Sequence, residues 1–307
     1  MAIHPNLAGR SCYHKYEVEP GLFTPGQFLD VVPKRCLDEL GVPQDLSGLR
    51  ALDIGAWDGA YTFDLERRGA QVTALDIQDP DLTLFNAVKE IKKSSATYVR
   101  GGIYEAVPET LGTFDVVLFA GVFYHLKNPV LALQRIRRLL KDGGALFIEG
   151  ASGTDYLAEE LSKVLGSPKS SRHTTAEILD RLPISFFDID HKIYESWTNW
   201  WFPTTRCLEA VLLDSGFRNV EVELKKNAFY NYSHRRLMGR AEADPAKADP
   251  AEQKHEHDVR TEEFTSNRTM PPLNTPRFDA LAWVPPVLHP TAKQIRRGVR
   301  RLFSRQG

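Results

Sequence analysis

Two carboxylates lie near the ends of neighbouring apolar runs, at a spacing that suits a nucleotide. Asp53 belongs to the run Ala51–Ile54, and Asp76 ends the next run, about twenty residues beyond the glycine loop between them. Gly55 and Gly59 bracket that loop. Open α/β sheets bind ligands at the carboxyl ends of their strands, so we expect Asp76 to accept hydrogen bonds from both hydroxyls of a ribose.

The residues inside the loop argue against a dinucleotide. A pyrophosphate approaches the backbone at a small middle residue, and Trp57 stands in that place. Asp58 would also repel phosphate groups. The alternative that stays open is a turn of the same type that holds another nucleotide.

The pattern around the loop predicts an α/β fold. Leu49–Ile77 reads as strand, glycine turn, helix and strand, and the alternation continues through residue 149. The wholly apolar run Phe114–Phe119 is typical of a central parallel strand. We expect a helix over Pro129–Leu140 that is capped by Gly143 and Gly144.

The flanking regions are less regular. Residues 1–26 read as irregular chain, and Gln27–Leu40 as an amphipathic helix. Val220–Leu224 and Ser233–Arg240 are predicted to pair as antiparallel strands. Beyond residue 240 a polar linker and a proline-rich arm lead to Thr291–Arg305, a basic amphipathic helix that would suit anionic lipid, nucleic acid or an acidic surface of the protein itself.

Composition sets limits on the partners. The 307 residues carry a formal net charge of -1, so the chain is no polyanion binder by bulk charge. Its three cysteines are widely spaced, which suits reduced thiols and predicts no metal site. Neither a signal peptide nor an apolar membrane span is evident, so we expect a cytoplasmic protein.

Four segments in order, DIGAWDG, ALDI, FDVVLFAGVFYHLKNP and KDGGALFIEG, resemble the class I S-adenosylmethionine-dependent methyltransferases. The resemblance implies a Rossmann-like seven-stranded sheet that ends in an antiparallel pair. It covers residues 48–240, with an aromatic lid insertion over 150–203. Residues 1–47 form an N-terminal segment and helix before this domain, and 241–307 a C-terminal arm.

The resemblance assigns a set of residues to S-adenosylmethionine. The glycine loop holds its methionine part, Asp76 its ribose, and the turn after the third strand packs on adenine, where Ile103 offers a flat apolar wall. The residues predicted to contact the cofactor are Asp53, Gly55, Trp57, Gly59, Asp76, Ile77, Gly102, Ile103, Tyr104 and Ala120. For the turn at 102–104, an ordinary structural role is the alternative.

The loop after the fourth strand supplies candidates for catalysis. Tyr124 is placed to contact the transferred group, and His125 is a candidate general base because its unperturbed pKa is near 6.5. Glu149, at the end of the fifth strand, is a second candidate base. For His125 the competing interpretation is that the side chain packs against or caps the next helix.

A run dense in aromatic residues is predicted to cover the acceptor. Aromatic walls hold flat or sugar-like molecules and exclude water. The candidates are Tyr156, Tyr194, Trp197, Asn199, Trp200, Trp201 and Phe202, and simple core packing is the alternative for about half of them. Trp200 and Trp201 alternate in an extended chain, so at most one of them faces the site.

Within the class, GVFYHLKNP and the N-terminal segment look most like the Methyltransf_9 group, which contains wobble-uridine carboxymethyltransferases of tRNA. That resemblance implies that Lys15, Tyr124 and Arg236, or Arg235 in its place, hold the extra carboxylate of carboxy-S-adenosylmethionine. The tRNA-binding N-terminal region of that group is largely missing here.

We therefore predict O-methylation of a small molecule or sugar unit. Carboxymethyl transfer to an RNA uridine and a non-catalytic cofactor-binding scaffold are the alternatives.

Overall fold

The computed structural model describes residues 1–26, 31–165, 174–188, 198–226 and 235–247. The chain divides into two compact units, Met1–Tyr156 with Ala176–Ala248, and Leu157–Thr175 with Asp249–Gly307. The main sheet lies wholly in the first unit. Of the second unit, residues 157–165 and 174–175 are described.

The strands of the described residues are β1 (Ala2–Ile3), β2 (Glu17–Glu19), β3 (Leu22–Phe23), β4 (Arg50–Ile54), β5 (Gln71–Asp76), β6 (Thr97–Arg100), β7 (Phe114–Ala120), β8 (Leu140–Ala151), β9 (Ser185–Phe187), β10 (Trp201–Pro203), β11 (Phe217–Lys225) and β12 (Arg236–Ala243). The helices are α1 (Val31–Glu39), α2 (Ala60–Arg67), α3 (Phe85–Lys92), α4 (Pro108–Leu111), α5 (Pro129–Leu139), α6 (Thr154–Leu165), α7 (Thr175–Asp180) and α8 (Thr205–Asp214).

Seven strands form one mixed sheet in the order β11-β12-β8-β7-β4-β5-β6. Strands β8, β7, β4, β5 and β6 run parallel, whereas β12 is antiparallel to both of its neighbours. This topology confirms the predicted Rossmann-like α/β sheet with an antiparallel pair at one edge. The apolar run of β7 lies at the centre, where Val117, Leu118 and Phe119 are fully buried.

The connection from α5 to β8 differs from the prediction. Helix α5 begins at Pro129, with the Asn128 side chain accepting a hydrogen bond from the Leu131 N–H at 3.1 Å. It ends at Leu139, and β8 starts at the next residue. Gly143 and Gly144 therefore lie within β8 and do not cap the helix. They lie where the pairing of β7 with β8 changes register. Glycine permits the backbone conformation that this irregularity in the strand requires.

The N-terminal residues are more ordered than predicted. Strands β1, β3 and β2 form a small three-stranded sheet, and a 3-10 turn covers Pro5–Leu7. Thr24 joins the strands, because its hydroxyl donates to the His14 carbonyl at 2.7 Å and accepts from the Tyr16 N–H at 2.9 Å. Strands of two or three residues carry too few positions for a periodic signal, which explains why this sheet was not predicted.

Several predicted features lie outside the described residues. They are residues 27–30 of the first predicted helix, Tyr194 and Trp197 of the aromatic run, Ser233 at the start of the last strand, and the C-terminal arm beyond residue 247 with the basic helix Thr291–Arg305.

Candidate active site

The predicted site residues gather at the carboxyl edge of the parallel strands. Strand β4 pairs with β5 on one side and with β7 on the other, so the loops that follow these strands emerge side by side. Asp53 lies one residue before the end of β4, and Asp76 is the last residue of β5. The order β8-β7-β4-β5 brings Glu149 and the loop after β7 to the same edge.

The loop after β4 is held by hydrogen bonds to β5. Gly55 has φ +79°, and a Cβ there would lie 2.3 Å from Cγ2 of Val122, so both the backbone angle and the space demand glycine. The Trp57 N–H donates to Oδ2 of Asp76 at 2.8 Å. Trp57 itself adopts φ 47°, an unusual angle for a bulky residue, and its side chain is 41% exposed. The loop therefore presents an aromatic surface beside the Asp76 carboxylate.

Asp76 keeps acceptor capacity for a ribose. Besides the Trp57 bond, its Oδ1 accepts from the Gln78 N–H at 2.9 Å. Each carboxylate oxygen can accept a second hydrogen bond, and the two backbone donors fix the orientation of the group. This buried carboxylate is thus suited to the two hydroxyls of a ribose, as predicted from sequence.

Asp53 is fully buried below the same loop. The Thr62 hydroxyl donates to its Oδ2 at 2.6 Å. Desolvation raises the pKa of Asp53 to about 7, the Thr62 hydrogen bond opposes this, and the nearby Asp76 charge adds to it. A carboxyl with this pKa changes its charge near neutral pH, which makes it responsive to a cation bound beside it.

Gly59 has a different reason for being glycine from the one predicted. Its φ is +84°, and a Cβ there would lie 2.3 Å from the Phe63 ring and 2.9 Å from Phe85. The constraint is thus the packing of two aromatic rings beneath the loop. This packing is sufficient to require glycine at position 59, and the contact of Gly59 with the cofactor stays a prediction.

Of the two isoleucines predicted to contact the cofactor, Ile103 is buried and Ile77 is exposed. Ile103 is only 5% exposed and belongs to the main core, so little of its surface is left for a ligand. Ile77, which follows Asp76, is 65% exposed. Tyr104 is half-buried and its hydroxyl accepts from the Asn128 N–H at 3.0 Å, which ties this turn to the start of α5. Gly102 is half-buried in the same turn, and Ala120 is buried at the end of β7.

A buried ion pair lies under the loop after β7. The Arg236 guanidinium on β12 donates to both carboxylate oxygens of Glu149 on β8, through Nε to Oε1 and through Nη2 to Oε2 at 3.1 Å. The same Nη2 donates to the Tyr124 hydroxyl at 3.3 Å, and the guanidinium carbon lies 5.1 Å from the Tyr124 ring centre. Burial opposes the charge on Arg236, yet Glu149 and Tyr124 together keep its pKa well above the usual value.

The ion pair bears on two of the predictions. Both oxygens of Glu149 are occupied by Arg236, which argues against Glu149 as a general base. Of the two arginines considered from sequence, Arg236 is the one that contacts Tyr124. Arg235 binds Asp155 instead, with its Nη2 2.6 Å from Oδ1. Lys15 is half-buried on the N-terminal segment, and its predicted part in holding a carboxylate stays a prediction.

His125 is oriented by a carbonyl group. Its Nδ1 lies 3.0 Å from the Thr198 carbonyl oxygen, which can only accept, so the proton is on Nδ1 and the neutral ring keeps a lone pair on Nε2. The residue as a whole is accessible, but its ring packs against Tyr124 with centroids 4.2 Å apart. Desolvation of the ring lowers the pKa of His125, the Thr198 bond opposes this, and the Arg236 charge adds to the lowering.

The aromatic run packs on this loop, as expected of a lid. The Trp200 N–H donates to the Tyr124 carbonyl at 2.7 Å, and Lys127 Nζ lies 4.5 Å from the centre of the Trp200 ring. Trp201 is buried against Phe123, whereas Trp200 is half-buried, and that at most one of them faces the acceptor stays a prediction. Phe202 is also core, and Tyr156 packs on Phe186 with centroids 5.7 Å apart.

Asn199 stands out in the run. The residue is buried, and among the described residues its Oδ1 has no hydrogen-bond partner. A buried amide oxygen without a partner costs free energy, so a ligand group that donates to it would be favoured.

Sequence reasoning missed one contact beneath the loop. Asp58 is fully buried, and its Oδ1 lies 2.7 Å from Nδ1 of His14. It therefore faces the N-terminal segment and not a bound phosphate, contrary to the role given to it from sequence. The sequence gives no signal that singles out His14 among the donors of the N-terminal segment, and only the fold shows that it meets Asp58.

The described residues contain no candidate metal site and no candidate membrane span. In that part of the chain, no group of three or more histidine, cysteine, aspartate or glutamate side chains is placed to hold a metal ion. Across the same residues, none of the helices has the length and apolar character needed to cross a membrane.

The comparisons with known proteins agree on the class. A family profile described as "Methyltransferase domain" matches residues 52–148. The ubiquinone biosynthesis O-methyltransferase of Xanthomonas oryzae pv. oryzae is 28% identical over 179 residues, which cover 53% of this chain and 74% of that protein. The protein of the same name from Xanthomonas campestris pv. campestris is 27% identical over 179 residues, with the same coverage.

A solved structure shares the fold. The N-terminal domain of EvdMO1, crystallised with SAH bound, superposes with a TM-score of 0.51 at 18% identity, over 76% of this chain and 91% of that one. Residues 52–148 thus form a methyltransferase domain, and the chain has the fold of an S-adenosylmethionine-dependent methyltransferase. The carboxyl edge of β4, β5 and β7 is accordingly the edge at which we place the cofactor of this methyltransferase.

Asp53 gives a prediction about cofactor binding to the methyltransferase. At pH 7 a carboxyl with a pKa of about 7 is about half protonated. The cofactor carries a sulfonium and an ammonium group, and cations nearby lower the pKa of a carboxyl. We expect binding to release up to about half a proton at pH 7. Calorimetry in buffers of different ionisation enthalpy measures this release.

Asp53→Asn is the control, since its amide oxygen still accepts from Thr62 but does not titrate. It should bind with a heat that is the same in every buffer. Equal heats in all buffers for the unmodified protein would contradict the prediction.

Proposed function

We propose that this methyltransferase transfers the methyl group of S-adenosylmethionine to a hydroxyl oxygen of a small molecule. The observation that carries the proposal is the loop after β7, where the Thr198 carbonyl binds Nδ1 of His125 and so leaves a lone pair on Nε2, and where the Trp200 N–H binds the Tyr124 carbonyl. The relatives named above are O-methyltransferases of ubiquinone biosynthesis, which supports an oxygen acceptor.

The cofactor fits the edge described above. Asp76 would hold the ribose, Gly55 and Trp57 would line the methionine part, and Ile77 would offer apolar surface to the adenine. When bound, S-adenosylmethionine supplies a methyl group that is already activated by its sulfonium. The work left to the protein is to align the acceptor with that methyl group, to exclude water and to accept a proton.

Asp76→Ala tests this placement. The variant loses the carboxylate that would accept from both ribose hydroxyls, and charge-assisted hydrogen bonds are worth about 1.5–3 kcal/mol each. We expect the Kd for S-adenosylmethionine to rise at least about tenfold, or about 1.4 kcal/mol. Titration calorimetry measures the change.

A matched control is Asp115→Ala. Asp115 accepts from the Arg50 N–H at 2.9 Å and from Lys141 Nζ at 2.7 Å, near the opposite end of β7. Its loss should leave the Kd within about twofold. Wild-type affinity in the Asp76 variant would mean that the ribose binds elsewhere.

The residues on the acceptor side have separable tasks. His125 accepts the proton of the attacking hydroxyl through Nε2. Tyr124, braced by Arg236, contacts the transferred group, and Trp200 covers the acceptor. Asn199 accepts from a second polar group of the acceptor through its buried Oδ1. A flat hydroxylated molecule meets these requirements better than a large nucleic acid, in line with the net charge of -1.

The acceptor class is tested with a labelled methyl group. The full chain is incubated with methyl-labelled S-adenosylmethionine and matched pairs of flat acceptors that differ only in a hydroxyl or an amine. Label on the hydroxyl member supports the proposal, and label on the amine alone contradicts it. Failure of label to move to any acceptor in a metabolite extract would favour the non-catalytic scaffold.

Carboxymethyl transfer is the second candidate, because Arg236 and Tyr124 lie together as that reaction requires. Glu149 already neutralises Arg236, and this weighs against a further carboxylate at the same guanidinium. Mass spectrometry of ligand released from purified protein separates the two. A mass above that of S-adenosylmethionine by one carboxyl group would overturn simple methyl transfer. An association of residues 291–305 with lipid or nucleic acid stays a prediction.

A further inference from the structure

We infer that the N-terminal segment, residues 1–26, is a brace that holds the cofactor loop in its binding conformation, and that His14 is the positioning residue through which it acts. The inference concerns cofactor binding and does not depend on the identity of the acceptor.

The contact itself is extensive. Asp58 Oδ2 accepts from the His14 N–H at 2.6 Å and from the Tyr13 N–H at 3.1 Å, and its Oδ1 lies 2.7 Å from His14 Nδ1. The Tyr16 hydroxyl donates to the Asp58 carbonyl oxygen at 2.6 Å. One loop residue thus takes four hydrogen bonds from three residues of the segment. His14, Tyr16 and Asp58 are all buried.

Asp58 lies next to the residue that touches the predicted ribose carboxylate. The Trp57 N–H donates to Asp76 Oδ2 at 2.8 Å, so contacts that fix Asp58 also restrict the movement of the adjoining residue that carries this donor. Trp57 also holds φ 47°, an unfavourable angle for a bulky residue that persists only where neighbouring contacts fix it. The hydrogen bonds from the segment to Asp58 supply such contacts.

The segment also reaches the loop after β5. The Arg10 guanidinium donates to the Asp81 carbonyl oxygen at 2.8 Å. Leu7, Tyr16 and Val18 share a core cluster with Ala56 and Ala60 of the first loop and with Leu84 and Phe85 at the start of α3. One segment therefore packs against both loops that flank the predicted cofactor position. Such preorganisation lowers the ordering cost of binding.

The segment offers a control of the same residue type. His4 is buried to nearly the same extent as His14, with exposures of 8% and 7%. Its ring contacts Glu19 and the Asn6 N–H, both within the segment itself. His4→Ala therefore perturbs the segment without removing a bond to the cofactor loop, whereas His14→Ala removes the side-chain bond to Asp58.

The test compares binding of S-adenosylhomocysteine to the full chain by titration calorimetry. We expect His14→Ala to raise the Kd about tenfold, and His4→Ala to change it by less than about twofold. His14→Asn, whose amide nitrogen can reach Asp58 in place of Nδ1, should recover most of the affinity. Methyl transfer by His14→Ala should show a raised KM for S-adenosylmethionine and a kcat within about twofold of wild type at saturating cofactor.

Three results would overturn the inference: unchanged affinity in folded His14→Ala, equal losses in both histidine variants, or a fall in kcat with no change in Kd. Thermal unfolding of each variant establishes that it is folded at the assay temperature. Asp76→Ala separates the two proposals. If it binds normally while His14→Ala does not, the brace stands and the ribose assignment fails.

Discussion

Replacing Arg236 with methionine should lower the free energy of unfolding by about 3–5 kcal/mol. The reason is the carboxylate that remains. Glu149 is buried, and Arg236 donates to both of its oxygens, so the variant leaves a negative charge without its partner inside the protein. Urea unfolding monitored by fluorescence measures the change.

Two further variants show whether the charge or the lost contact is responsible. Arg235→Met removes the neighbouring arginine, whose pair with Asp155 is more exposed, and should cost about 1 kcal/mol or less. The double variant Glu149→Leu with Arg236→Met removes both charges and should recover most of the stability. A double variant no more stable than Arg236→Met would show that Glu149 is not the source of the penalty.

The second large effect is expected at His125. His125→Gln removes the group that would take the acceptor proton, and general base catalysis typically contributes about 10²–10⁴ in rate. We expect kcat to fall at least about 100-fold, with the Kd for S-adenosylmethionine unchanged. Steady-state kinetics with the acceptor found by the screen, together with calorimetry for the cofactor, measure the two quantities.

The pH profile gives an independent reading of the same role. The ring must be neutral to accept a proton, and the pKa of His125 is lowered from 6.5, chiefly by desolvation. Activity of the unmodified protein should therefore fall on the acid side, below pH 6.5, and be level at neutral pH. The residual activity of His125→Gln should not show this fall at acid pH.

Lys127→Met is the control within the loop, since Lys127 contacts Trp200 but no reacting group. Its kcat should stay within about threefold of wild type. A wild-type kcat in His125→Gln would show that His125 is not the general base. The packing role considered from sequence would then remain.

The pattern of apolar runs was sufficient to predict the main sheet. Phe114–Ala120 is apolar almost throughout. Such a run, among alternating strands and helices, is typical of a parallel strand that is buried on both faces. The position of Asp76 could also be predicted from sequence, because the carboxyl ends of parallel strands lie at the same edge of the sheet. These features depend on periodicity and order alone.

Features that depend on loop conformation could not be predicted. Asp58 was expected to repel phosphate groups at the loop, but with left-handed angles at Trp57 and Gly59 on either side it is directed towards His14. Gly143 and Gly144 have the composition of a helix cap, yet β8 begins before them. In each case the backbone angle of one or two residues decides the outcome.

The roles of Glu149 and Arg236 show a further limit. Glu149 was assigned to chemistry from its place at the end of a strand and Arg236 from a family resemblance, and neither residue alone gives a reason to pair them. The pairing follows from the register of β12 against β8, where Glu149 lies opposite Met238, two residues along from Arg236 on the same face. Register between strands so distant in sequence is fixed by the packed sheet.

The most direct test follows the methyl carbon. Purified full chain is incubated with ¹³C-methyl S-adenosylmethionine and host extract divided into low-mass metabolites, RNA and protein, and the labelled product is examined by NMR and mass spectrometry. We predict a ¹³C-methoxy group on a low-mass product, strongly reduced with Asp76→Ala at limiting cofactor and with His125→Gln. Label in the RNA fraction, or on nitrogen alone, would contradict the account.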